Sequence, residues 1–233
     1  MSQKERNDIT GLHARAPRGV LFTVIAVRGP LCRQAGARFY VSDEGLTAGA
    51  AAQACIEALL LQRAREFVRD GAVLRGFSVS LEEATETHYG NGDVDVLAEA
   101  AEIEETLALM GALRAVGQRE HRTVVTVLPA QSMPLLRFVM DAHDDVLFAS
   151  EALETEDIVP LRRIALSADH ATLHDTRQGR MFVERMTAED TLEEECMTAK
   201  NEKSVCGNAS RDEKETYSIY PPEISQNISS EAG

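Results

Sequence analysis

Hydrophobic residues come in short β-branched runs separated by charged and glycine-containing turns, interrupted by stretches of helical spacing. Residues 19–27 (GVLFTVIAV) form one such run, closed by Arg28-Gly29-Pro30, and predict a buried strand. Residues 37–41 (ARFYV) predict a second, stopped by the turn Ser42-Asp43-Glu44-Gly45. From 51 to 69 the period changes. Ile56, Leu59, Leu60, Ala64, Phe67 and Val68 fall on one helical face, Arg63, Arg65, Glu66 and Arg69 lie elsewhere, and Asp70-Gly71 ends the helix. Residues 73–80 and 93–97 then read as strands. Their polar connection, 82–92, finishes in Tyr89-Gly90-Asn91-Gly92, and Asn-Gly is well suited to a hairpin turn.

The second half looks like a faded copy of the first. Residues 100–117 predict a helix with Ile103, Leu107, Met110, Leu113 and Ala115 in its apolar set. Residues 122–128 (RTVVTVL) echo 20–27, Arg137-Phe138-Val139 echoes Arg38-Phe39-Tyr40, and Asp144-Asp145 falls where Asp43-Glu44 falls earlier. Residues 171–175 and 180–184 match the closing strands. The reading is an α/β fold: a two-layer domain over 17–186 built from two similar strand-strand-helix-strand-strand halves, and two copies could share one sheet. Residues 1–16 read as an N-terminal arm.

Charge sets off the end of the chain. Residues 187–233 hold eleven acids against four bases, half of the formal charge of −14, with isolated apolar residues and a Pro221-Pro222 break. Such a segment buries too little apolar surface to offset its ordering entropy, so an acidic disordered tail is expected. The same charge argues against nucleic acid as a partner, since phosphate binding needs a basic face. No run approaches the roughly 18 apolar residues of a membrane helix, and residues 1–8 lack a signal-peptide core. A cytoplasmic, soluble protein is expected, and on that reading the Asn208 and Asn227 sequons are chance matches. Cys32, Cys55, Cys196 and Cys206 follow no metal-ligand spacing. His170 and His174, flanked by Asp169 and Asp175, share a face but imply no third ligand, so no metal site is expected. Met133 and Met140 read as packing residues. No nucleophile elbow, phosphate loop or zinc-protease signature appears, and no catalytic residue is assigned.

One set of residues carries a resemblance. The run Thr23-Val24-Ile25-Ala26-Val27-Arg28-Gly29, then Arg33, then Gly36-Ala37-Arg38-Phe39-Tyr40-Val41, resembles the N-terminal part of the XdhC/CoxI family, the xanthine dehydrogenase accessory proteins. The family's Gly-x-x-Ser-Gly-Gly-Cys-Leu-Glu type segment corresponds here to Gly49-Ala50-Ala51-Ala52-Gln53-Ala54-Cys55-Ile56-Glu57. A later Gly-Cys-Gly appears as Gly90-Asn91-Gly92. The resemblance covers residues 17–100 well and 101–186 weakly. Ser-Gly-Gly has become Ala52-Gln53-Ala54, the second cysteine is Asn91, and the serine-rich turn after Gly29 is Pro30-Leu31-Cys32. The tail has no Gly-x-Gly-x-x-Gly run, so the expectation is the family's N-terminal domain without the Rossmann-like domain many members carry.

The resemblance implies a non-enzymatic accessory role: binding molybdenum cofactor (molybdopterin) transiently and helping its maturation or insertion into an apo molybdenum hydroxylase, such as xanthine or carbon monoxide dehydrogenase. A cysteine desulfurase is a further partner on this reading, and a homodimer or a heterodimer with a relative is expected. The cofactor-binding set would be Cys55, Glu57, Gly49, Arg33, Gly36, Arg38 and Asn91. Read chemically, Cys55 falls at a helix start, where a thiol's pKa is lowered, and thiolate suits a soft metal or sulfur relay. Glu57 could accept a proton or a pterin amino group's hydrogen bond. Arg28, Arg33 and Arg38 surround one glycine-containing turn and could hold a phosphate. The alternative is a degenerate paralogue serving as partner or regulator of a full-length family member, which the altered glycines favour. The retained residue set favours the accessory role.

Overall fold

The computed structural model describes residues 1–29, 34–50, 54–80, 92–128, 135–168, 171–176 and 179–187. The tail from 188 onward, and with it the expected disorder, lies outside the described residues.

Each half supplies seven elements in the same order. The first comprises α1 (Gln3–Arg15), β1 (Gly19–Arg28), β2 (Arg38–Ser42), β3 (Thr47–Gly49), α2 (Ala54–Arg69), β4 (Leu74–Ser80) and β5 (Asp93–Ala100). The second comprises α3 (Glu104–Gly117), β6 (Arg122–Leu128), β7 (Leu136–Met140), β8 (Val146–Ala149), α4 (Thr155–Ser167), β9 (Thr172–Thr176) and β10 (Gly179–Met186). The strands form two antiparallel five-stranded sheets of matching order, β3-β2-β1-β5-β4 and β8-β7-β6-β10-β9. The registers match too: Thr23 faces Arg38 across β1 and β2, and Thr126 faces Arg137 across β6 and β7. Among the described residues no helix is long and apolar enough to cross a membrane.

The α/β class and the two similar halves agree with the sequence reading; a single shared sheet does not. Both faces of β1 are apolar. Val20, Phe22 and Val24 pack in the cluster with α2, while Leu21 and Ile25 join clusters built from both halves. Joining the sheets edge to edge would leave that second face in water, whereas stacking the halves buries it. In the second half Val125 and Val127 pack with α4, and Val124 and Leu128 face the first half.

The N-terminal arm is a helix. Its start is a capping box: the Glu5 N–H donates to Ser2 Oγ at 3.2 Å and the Ser2 N–H donates to Glu5 Oε2 at 2.8 Å. β3 and β8 add a short outer strand to each half. α4 forms with Pro160 inside it.

Two buried ion pairs cross between the halves, each half lending one arginine and one glutamate. Arg38 Nη2 lies 2.5 Å from Glu184 Oε2 on β10, and Arg137 Nη1 lies 2.9 Å from Glu99 Oε1 on β5. Glu99 faces Leu21, and Glu184 faces Val124, so the two carboxylates occupy matching places in the two sheets. Arg137 is further held by Thr126 Oγ1, which accepts from Nε at 3.0 Å, and by the Glu105 carbonyl, which accepts from Nη1 at 2.7 Å. Among the described residues neither Arg38 Nε nor the Thr23 hydroxyl has a partner.

Candidate functional site

Antiparallel alternation brings six element termini to one end of the first sheet. β1 ends there at Arg28, β2 begins at Arg38, β3 ends at Gly49, α2 begins at Ala54, β4 ends at Ser80 and β5 begins at Asp93. The residues singled out from the sequence therefore share one end of one sheet. Arg33 and Asn91 belong to its connections but lie outside the described residues. The backbone of Cys55 occupies the first turn of α2, and its side chain lies outside the described set. Glu57 follows in the same turn, partly buried. That turn carries the positive end of the helix dipole, which favours a thiolate or a bound anion.

The other members of the set have structural work. Arg38 is 1% exposed. Its guanidinium is taken up by Glu184 and by the Gly36 carbonyl, which accepts from Nη1 at 3.0 Å. It is thus not open to a phosphate, and the reading of Arg28, Arg33 and Arg38 as an anion cluster is corrected at this position. The cause is a glutamate 146 residues away in sequence.

Gly36 has φ +90°, and a Cβ there would stand 3.0 Å from Glu184 Oε1. Gly49 has φ +83°, and a Cβ would stand 2.4 Å from the Arg38 carbonyl oxygen and 2.7 Å from Ile9 Cδ1. At both positions glycine lets the chain pass close to its own neighbours, a use distinct from cradling a ligand.

Arg28 is half-exposed and also paired. Its Nη1 and Nη2 each donate to an Asp95 carboxylate oxygen at 2.8 Å, Asp93 lies 3.5 Å from Nε, and the Ser78 hydroxyl donates to Asp95 Oδ1 at 2.6 Å. Burial pushes the Asp95 carboxyl upward, but the hydrogen bonds from Arg28 and Ser78 and the Arg28 charge outweigh it. They hold Asp95 below the ordinary carboxylate range. Asp95 was missed by sequence reasoning; its signal, an acid inside the apolar run of β5, is weak by itself.

A cleft of about 950 Å³ lies between α1 and the β2–β3 turn, lined by residues that include Asp8, Gly11, Arg15, Glu44, Leu46 and Gly49. His174 is on β9, with Nε2 2.8 Å from Thr172 Oγ1, and His170 lies outside the described residues. Among the described residues no three His, Cys, Asp or Glu side chains are grouped to hold a metal ion.

Residues 12–77, from the last turn of α1 into β4, match the XdhC and CoxI family. The fold resembles a crystal structure from Bacillus halodurans described as a xanthine dehydrogenase, with a TM-score of 0.57 and 16% identity over 80% of this chain and 53% of that one. The likeness is one of fold, and this chain spans about half the length of that protein. No curated protein matches the sequence.

Proposed function

We propose that this chain is a non-catalytic accessory protein of molybdenum-hydroxylase maturation. In this reading it holds molybdenum cofactor transiently at the α2 end of the first sheet and passes it to an apo-hydroxylase. A cysteine desulfurase would supply sulfur, and a second copy or a longer relative would be its dimer partner. The supporting observation is that the family match over residues 12–77 includes four of the six termini at this end, those at Arg28, Arg38, Gly49 and Ala54.

With Arg38 assigned to Glu184, the proposed set at this end is Cys55 and Glu57 in the first turn of α2, with Arg33 and Asn91 from the connections. A soft sulfur and a carboxylate supplied by one helix N-terminal turn would suit a thiophilic metal carried on an anionic pterin phosphate. Cys55 would hold the cargo's metal or sulfur, Glu57 would orient the pterin, and the α2 N-terminus would favour the negative charge. The bound cargo would supply the redox-active molybdenum that the recipient enzyme uses.

One observation favours the second reading, a degenerate partner or regulatory module. Gly36, Arg38 and Gly49 are each explained by packing and pairing within the fold. The test is cofactor retention. Protein purified from cells making molybdenum cofactor is assayed for molybdenum and for fluorescence of the oxidised pterin. Wild type should carry both, and Cys55→Ser should fold but lose them. Equal retention by Cys55→Ser would overturn the carrier mechanism. No retention by wild type, with capture of a longer family member, would establish the partner reading.

A further inference from the structure

α1 and α3 hold the same place in their halves, yet they bury different chemistry. The buried positions run 6, 9, 10, 12, 13, 16 on α1 and its cap, and 106, 109, 110, 112, 113, 116 on α3. On α3 this face carries Leu109, Met110, Ala112, Leu113 and Val116 beside Thr106. On α1 three of the six positions are Arg6, Thr10 and His13. The spacing puts Leu113 at the step that His13 occupies.

His13 is 6% exposed and sits edge-on to the Tyr40 ring, with centroids 5.7 Å apart. It donates to the backbone carbonyl of Ala101, and among the described residues no group pairs with its Nε2. Tyr40 pins the end of the same helix, its hydroxyl reaching the Ala16 carbonyl at 2.6 Å and the Arg18 carbonyl at 3.1 Å. The charged and titratable groups facing the imidazole are Tyr40 from β2, Glu102 after β5 and Arg114 from α3; Arg6 is buried two turns back on α1.

We propose that α1 is a releasable element of the fold, docked while His13 is neutral and freed when that imidazole takes a proton. A proton on Nε2 creates a buried donor with no acceptor and a charge that Arg114 repels, opposed by the single carboxylate of Glu102. Burial, with Arg114, lowers the His13 pKa, the Ala101 bond and Glu102 opposing. The undocked helix therefore takes the proton first as pH falls through about 6.5. Below that pH, and above the docked pKa, each unit shifts the docked-to-free ratio by about tenfold. Release uncovers the face of β2 and β3 that α1 packs on, and with it the side of Gly49 that Ile9 covers.

Hydrogen exchange on the full chain between pH 7.5 and 5, corrected for the intrinsic chemical rate, reads this directly. The opening constant of α1 amides should rise up to tenfold per unit below about pH 6.5, while β1 and β6 amides stay level. His13→Leu, which installs the residue α3 uses, should abolish the dependence. His13→Asn, a neutral side chain that keeps a donor for Ala101, should do the same if the leucine packs poorly. A flat profile in wild type, a dependence that survives both substitutions, or equal opening of the core strands would overturn the proposal.

Discussion

Replacing Arg137 with methionine tests the reciprocal ion pairs most severely. The arginine side chain is 2% exposed and its partner Glu99 is 0% exposed. The substitution removes the 2.9 Å pairing and the bonds to Thr126 and the Glu105 carbonyl, while methionine refills most of the volume. Glu99 is left buried with a 3.3 Å hydrogen bond from the Thr106 hydroxyl. Breaking one side of a buried pair costs about 3–5 kcal/mol. With a urea slope of about 2 kcal/mol/M, the unfolding midpoint should fall by roughly 1.5–2.5 M. Removing the second charge as well, with Glu99→Leu, should return most of that loss, because two apolar residues need no partner. Urea titrations of the wild type, both single variants and the double variant close a thermodynamic cycle. The reasoning fails if Arg137→Met shifts the midpoint by less than about 0.5 M, or if the double variant is no more stable than the worse single one.

Gly49→Ala should cost about 2 kcal/mol or more, because the new Cβ meets the Arg38 carbonyl at 2.4 Å in a left-handed conformation. Thermal unfolding measures it, and an unchanged Tm would refute the close approach. Asp95 has its folded pKa lowered, so the unfolded chain takes the proton first as pH falls through about 3.9. The stability it contributes is complete above that pH and lost as pH falls through the folded value. Asp95→Asn should therefore flatten the acid limb of a urea-midpoint profile below about pH 4, and a limb as steep as wild type would count against the Arg28–Asp95 pairing.

The strands that cross the core were legible because burial on both faces leaves an unbroken apolar run, as in β1 and β6. α2 was legible because one of its faces is solvated. α1 escaped notice for the opposite reason: with Arg6, Thr10 and His13 buried, its inner face reads as polar and the apolar period disappears. β3 and β8 are too short and exposed for alternation to register, and α4 carries Pro160, a residue that breaks the usual helical signal. The echo of Arg38 in Arg137 was visible in the sequence, but its meaning was not. Both arginines find their carboxylates in the other half, and no local pattern encodes such a partner. The end of the sheet that gathers the candidate residues was implicit in the strand order. Which of them face inward was settled by packing.

The reciprocal exchange of arginine and glutamate makes the chain equivalent to a symmetric dimer on a single polypeptide. Each half carries both members of the exchange, Arg38 with Glu99 and Arg137 with Glu184, so two copies of either half, symmetrically paired, would complete both pairs. The peptide link between β5 and α3 thus fixes stoichiometry rather than creating the contact. It also removes the obligation of sameness. Once fused, only the paired positions and the facing apolar residues are constrained to match, and the outer sheet ends are free to diverge. The cysteine-bearing helix start can then exist in one copy alone.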